Sequence, residues 1–103
     1  MRYEEMLSDR GFYNHQNGHA FELKNHRLEK RNSILSIHSD GSYGQIDIAA
    51  IRKDYLLLIV CKANGYLTPK ERRDLDKLKA RLPKFCKLQL RYRIGRKMRK
   101  MWY

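Results

Sequence analysis

The sequence has no apolar run approaching the ~18 residues a membrane-spanning helix needs, so no part of it is expected to cross a bilayer. Its first residues, MRYEEMLSDRG, lack the apolar stretch of a secretory leader, and a cytoplasmic location is expected. Cysteine is scarce. Cys61 and Cys86 both fall in apolar, strand-like segments, and no CxxC spacing exists. That excludes a cysteine-built zinc module and favours two free thiols in a reducing compartment. Acid is scarce as well: 11 Asp and Glu face 23 Lys and Arg, a net charge of +12. A field of that sign draws polyanions, and nucleic acid is the expected partner ahead of an anionic membrane surface. Internal repeats and low-complexity linkers are absent. So is an aromatic ribonucleoprotein motif, which counts against an RNA-directed protein.

What is present suits one domain spanning 1–103, with enough apolar residues for a modest core. Tyr3, Met6 and Leu7 are spaced for a short first helix that Gly11 would end, and 12–18 reads as loop, making 1–17 an N-terminal extension. Residues 19–31 read as a helix anchored by Phe21 and Leu28. Strands are expected at 33–38, 45–51 and 55–61, the last apolar on both faces and hence central. Thr68, Pro69 and Glu71 form a helix start with a capping box. Leu75, Leu78 and Leu82 mark that helix's buried face, and Pro83 stops it. Residues 86–92 alternate, with Cys86, Leu88, Leu90 and Tyr92 expected inside and Lys87, Gln89 and Arg91 outside. Residues 94–103 read as a basic tail with aromatic and apolar groups that could meet nucleic acid. The expectation is an α/β fold with a mixed sheet flanked by helices, in the order α-β-β-β-α-β.

One acidic residue is out of place. Asp47 stands between Ile46 and Ile48 in an apolar strand, where a carboxylate is costly unless paired or bound to a cation. A hairpin turning on Lys53 and Asp54 sets Arg52 opposite Tyr55 and Asp47 opposite Val60. Lys62 shares a face with Val60, so Asp47 and Lys62 converge at one end of the hairpin; a one-residue slip would part them. His15, His19 and His26 have spacings that a continuous helix could gather around a metal, but with 12–18 read as loop no zinc site is expected there.

The segments Gly18-His19-Ala20-Phe21-Glu22, Ser39-x-x-Ser42-x-Gly44-x-Ile46-Asp47 and Leu57-Leu58-Ile59-Val60-Cys61-Lys62 together resemble the PD-(D/E)xK nuclease pattern. They are most similar to archaeal Holliday junction resolvases and their relatives in archaeal viruses and plasmids. The resemblance covers about residues 18–93 and implies a restriction-endonuclease-like core. It implies a metal-dependent endonuclease acting on branched DNA as a homodimer, with Mg²⁺ (or Mn²⁺) held by Glu22, Asp47 and the Cys61 main-chain carbonyl. Lys62 would position the attacking water. His38, Ser39 and Ser42 would lie beside the scissile phosphate, with Lys70, Arg72 and Arg73 holding the DNA backbone. The sequence departs from the pattern at Val60, where the family has an acid; a weakened or inactive site that only binds DNA is the alternative.

Overall fold

The computed structural model describes residues 3–39 and 45–103, with side chains from residue 18 onward. Among them are two helices, α1 (Tyr3–Asn32) and α2 (Pro69–Arg81), and five strands, β1 (Leu35–His38), β2 (Ile48–Ile51), β3 (Leu56–Cys61), β4 (Cys86–Ile94) and β5 (Lys97–Trp102). The strands form one mixed sheet in the order β1-β2-β3-β4-β5. Only β3 and β4 run parallel; the other neighbours are antiparallel. A parallel pair needs a long crossover, and α2 supplies it. The fold is thus α/β with a mixed sheet. No helix among the described residues is long and apolar enough to cross a membrane.

The expected β2–β3 register is observed. Ile51 pairs with Leu56 and Ile48 with Ile59, while the Arg52 amide donates to the Tyr55 carbonyl at 2.9 Å. The ladder ends at the Ile48–Ile59 pair: the Asp47 amide donates to the Ile59 carbonyl at 2.9 Å, so the expected pairing of Asp47 with Val60 is not formed, and the Asp47 carboxylate lies on the α1 side with Glu22. At α2, Thr68 Oγ1 accepts from the Glu71 amide and Glu71 Oε1 accepts from the Thr68 amide, both at 3.1 Å, which completes the capping box. Before it, Gly65 closes a turn at φ +76°, and a Cβ there would meet the Tyr92 ring at 3.2 Å. Both cysteines are free.

The core has two halves, one on each face of the sheet. Phe21 of α1 packs on Ile48, Ala50, Leu57, Ile59 and Cys61. On the other face, Leu75 of α2 packs with Val60, Leu67, Leu88 and Leu90. Leu75 is the one fully buried side chain of α2. Leu75→Ala should therefore lower stability by about 2–5 kcal/mol. A urea midpoint unchanged from the parent protein would show that α2 is not held through this contact.

Three expectations are corrected. Residues 12–18 are not a loop, and Gly11 does not end a helix: both lie within the continuous α1. The premise used against a shared helix for His15, His19 and His26 therefore falls. Residues 94–103 are not a tail, because β4 runs on to Ile94 and turns back as β5. Gly95 at φ +62° followed by Arg96, with no non-glycine residue at positive φ among the described residues, is the two-residue turn with glycine first that suits a twisted hairpin. Finally, Gln89 and Arg91 point inward. Strand alternation holds, but α1 covers the face they occupy, so that face is not solvated.

Covering that face encloses an ionic network. Arg91 and Glu29 are both 0% exposed. Arg91 donates through Nη2 to Glu29 Oε2 at 2.8 Å, through Nε to Gln89 Oε1 at 2.8 Å and through Nη1 to Asn25 Oδ1 at 3.2 Å. Arg52 and Ser33 donate to the other Glu29 oxygen. Burial pushes the Glu29 carboxyl up, but the hydrogen bonds from Arg91 and Arg52 outweigh it and hold the group below the usual range. The network ties α1 to β2 and β4.

Candidate active site

The site stands where β2 begins and β3 ends, beneath α1. Asp47 directly precedes β2. Its amide donates to the Ile59 carbonyl at 2.9 Å, and its own carbonyl accepts from the Ser39 amide at 2.9 Å, so its backbone is fixed from both sides. Its carboxylate turns to β3 and accepts from the Cys61 amide at 2.7 Å. Burial raises the Asp47 carboxyl to about 7; the Cys61 amide opposes the rise and the adjacent Glu22 carboxylate reinforces it. Two acids, one from α1 and one from the start of β2, thus meet in a half-buried setting, where like charges repel unless a proton or a cation intervenes.

Glu22 is fixed from the other side. His38 Nε2 lies 3.2 Å from Glu22 Oε2, and the His38 side chain is almost fully buried. The His38 ring stacks on His26 at 5.4 Å, and His26 Nδ1 lies 2.9 Å from Ser36 Oγ. His38, expected beside a phosphate, is therefore engaged with the Glu22 carboxylate. Its neighbour Ser39 supplies a main-chain bond to Asp47. Ser42 lies outside the described residues.

Lys62 follows β3 and pairs with Glu71 of α2. Burial pushes the Glu71 carboxyl up, yet the Lys62 and Thr68 hydrogen bonds outweigh it and hold it low. Glu71 therefore joins the first turn of α2 to the site, a role beyond its capping box. Lys70, Arg72 and Arg73 are exposed on that helix. Val60, in the position of the missing acid, is fully buried against Leu75, Leu88 and Leu90.

Among the described residues, no three His, Cys, Asp or Glu side chains converge as a metal-binding group. The available donors are the Glu22 and Asp47 carboxylates and the Cys61 carbonyl. In an extended strand that carbonyl faces the same neighbour as the Cys61 amide, and so faces Asp47. The Cys61 thiol is no donor, because burial and the charges of Asp47 and Glu22 push its pKa up. An all-oxygen set with two carboxylates fits Mg²⁺, which keeps several waters and takes one or two protein carboxylates beside a phosphate.

Glu22, Asp47, Cys61 and Lys62, drawn from three separated segments, are thus brought to one end of the sheet. Glu71 and the Glu29–Arg91 network were not anticipated as part of this arrangement. The signal for Glu71 lay in the capping box itself, which anchors α2 close to Lys62. The chain matches no family model, no curated protein and no solved structure.

Proposed function

We propose that the protein is a Mg²⁺-dependent DNA endonuclease of the PD-(D/E)xK kind, with a restriction-endonuclease-like core, acting on branched or otherwise structured DNA. The observation that carries this reading is the meeting of Glu22 and Asp47, with Lys62 near the same sheet end. The net charge of +12 supports a polyanionic substrate.

Glu22, Asp47 and the Cys61 carbonyl would hold the cation. When bound, it would supply Lewis-acid polarisation of the phosphate and a more acidic water. His38 and the Cys61 amide orient the two carboxylates. The Lys62 ammonium, restrained by Glu71, would stabilise negative charge on the phosphate under attack. Lys70, Arg72 and Arg73 would grip the DNA backbone without reading sequence.

A second reading is favoured by Val60, which is packed in the core and offers no ligand. In that reading the domain binds DNA without cutting it. Nicking of a labelled four-way junction and a matched linear duplex, in Mg²⁺, Mn²⁺ and EDTA, separates the two. The nuclease reading expects metal-dependent cuts, with the junction preferred. Tight, salt-sensitive binding without cuts in either metal would leave the binding module.

A homodimer is part of the proposal, since a four-way junction presents two related cuts. The face suited to a second copy is the outer edge of the sheet at β1. Ile34, Leu35 and Ile37 there are 74%, 50% and 54% exposed, and the strand carries no lysine or proline to block pairing. Ile37→Lys is expected to leave a folded monomer in sedimentation velocity where the parent is a dimer. A parent that sediments as a monomer at micromolar concentration would remove this part of the proposal.

A further inference from the structure

A second feature lies at the opposite end of the sheet. A cleft of about 450 Å³ opens between the C-terminal end of α2 and the start of β4. Lys79, Lys84, Lys87, Cys86, Trp102 and Tyr103 are among its lining residues, and among the described residues no Asp or Glu lines it. Trp102, the only tryptophan, is 58% exposed. The Lys87 ammonium stands 5.7 Å from the centre of the Trp102 ring and 4.6 Å from that of Tyr55. Cys86 pairs with Leu56, where β3 begins, whereas Asp47 touches Cys61, where it ends. Five residues of strand, roughly 16 Å, separate the two levels.

Each property has a physical consequence. The volume lies within the range of small-molecule pockets, about 300–1,000 Å³. A half-exposed indole offers a flat face for stacking, which suits any base. Three lysines among its lining residues bring positive charge to the cleft, which draws an anion. The pairing of aromatic surface with positive charge selects an aromatic base that carries a phosphate. A base held inside a duplex could not enter, so the nucleotide must be unpaired.

We propose that this cleft binds one unpaired nucleotide of a DNA strand, its base against Trp102 and its phosphate among Lys79, Lys84 and Lys87. The inference rests on the DNA-binding part of the function proposed above, and not on cleavage. DNA with an unpaired nucleotide, at a branch point or a strand end, would therefore be favoured over continuous duplex.

Trp102 is also the reporter. The Asp47→Ala protein in EDTA, which removes cutting from the measurement, would be titrated with a short oligothymidylate, with thymidine monophosphate and with a blunt duplex. Saturable quenching of Trp102 emission by the oligothymidylate is expected, with weaker quenching by the duplex and by the free nucleotide. The double change Lys84→Ala, Lys87→Ala, on exposed side chains, should weaken oligothymidylate binding at least about fivefold and flatten its salt dependence. Trp102→Ala, followed by anisotropy of a labelled oligonucleotide, should weaken binding by about 5-fold or more, and Trp102→Phe should restore most of it. Equal quenching by duplex and single strand, or binding unchanged in the lysine variant, would overturn the proposal. Free nucleotide binding as tightly as the oligonucleotide would overturn its assignment to a DNA strand. Junction cleavage with no quenching would reject the cleft alone. Quenching with no cleavage would reject the nuclease alone.

Discussion

Glu29→Ala should destabilise the fold by about 3–5 kcal/mol, the cost of leaving a buried charge without its partner. Domains of this size are stable by about 5–15 kcal/mol, so the variant would be close to unfolding. Arg91 is 0% exposed, and Glu29 supplies its only carboxylate among the described residues. Removing Glu29 leaves one guanidinium in the core and frees Arg52 from its ion pair. The paired replacement Glu29→Leu, Arg91→Met removes both core charges and should recover a large part of the loss, because an apolar pair pays no desolvation. The pH dependence has a definite sign. Glu29 has a lowered carboxyl in the fold, so its contribution is fully present above the unfolded pKa and is lost as pH falls through the folded value. Urea melts followed by circular dichroism, from acid to neutral pH, measure all of this. A Glu29→Ala midpoint within error of the parent would show that the network does not hold α1 to the sheet.

Asp47→Asn should abolish metal-dependent cutting while making the metal-free protein more stable at pH 8. The loss of activity should exceed the ~100-fold typical of removing a ligand's supporting partner, because a ligand itself is removed. Asparagine can still accept the Cys61 amide, so the backbone geometry is kept. The stability effect follows from the raised carboxyl. Asp47 is ordinarily half-protonated at 3.8 and in the fold at about 7. Its favourable contribution is therefore full below pH 3.8 and declines as pH rises through 7. By pH 8 the decline amounts to roughly 2–4 kcal/mol. The asparagine side chain stays neutral and escapes it. Mg²⁺ should restore stability to the parent at pH 8 and do nothing for the variant. Thermal melts at pH 5 and pH 8, in EDTA and in Mg²⁺, provide the comparison. A parent protein equally stable at both pH values in EDTA, and indifferent to Mg²⁺, would contradict the pairing of the two acids.

Much of the site was legible because local chemistry determined it. The two-residue turn at Lys53 and Asp54 set the register of β2 on β3, which brought Asp47 to the end of β3 beside Cys61; the pairing of Asp47 with Val60 expected from the same count is not formed, because the Asp47 amide bonds the Ile59 carbonyl. The capping box set the start of α2 to the residue. What was not legible depended on long-range packing. Alternation along β4 shows that Gln89 and Arg91 share a face, but only the position of α1 decides that the face is covered. The trace of that cover in the sequence was faint: Phe21, Asn25 and Glu29 recur every four residues along one helix face, and their polar members match Gln89 and Arg91. Residues 12–18 looked like loop because Gly11, Asn14, Asn17 and Gly18 disfavour helix, yet the helix runs through them. The β4–β5 hairpin was announced by Gly95-Arg96 between Ile94 and Lys97, a turn signal hidden by the run of basic residues.

The central claim is that Glu22 and Asp47 jointly hold a divalent cation. It is tested most directly by Mn²⁺ electron paramagnetic resonance on the protein bound to a four-way junction with non-hydrolysable linkages. The account predicts that the parent protein immobilises Mn²⁺ beyond the level of the DNA alone. Glu22→Gln and Asp47→Asn should each lose that signal while still binding the junction. Immobilised Mn²⁺ undiminished in both variants would place the cation elsewhere and contradict the account.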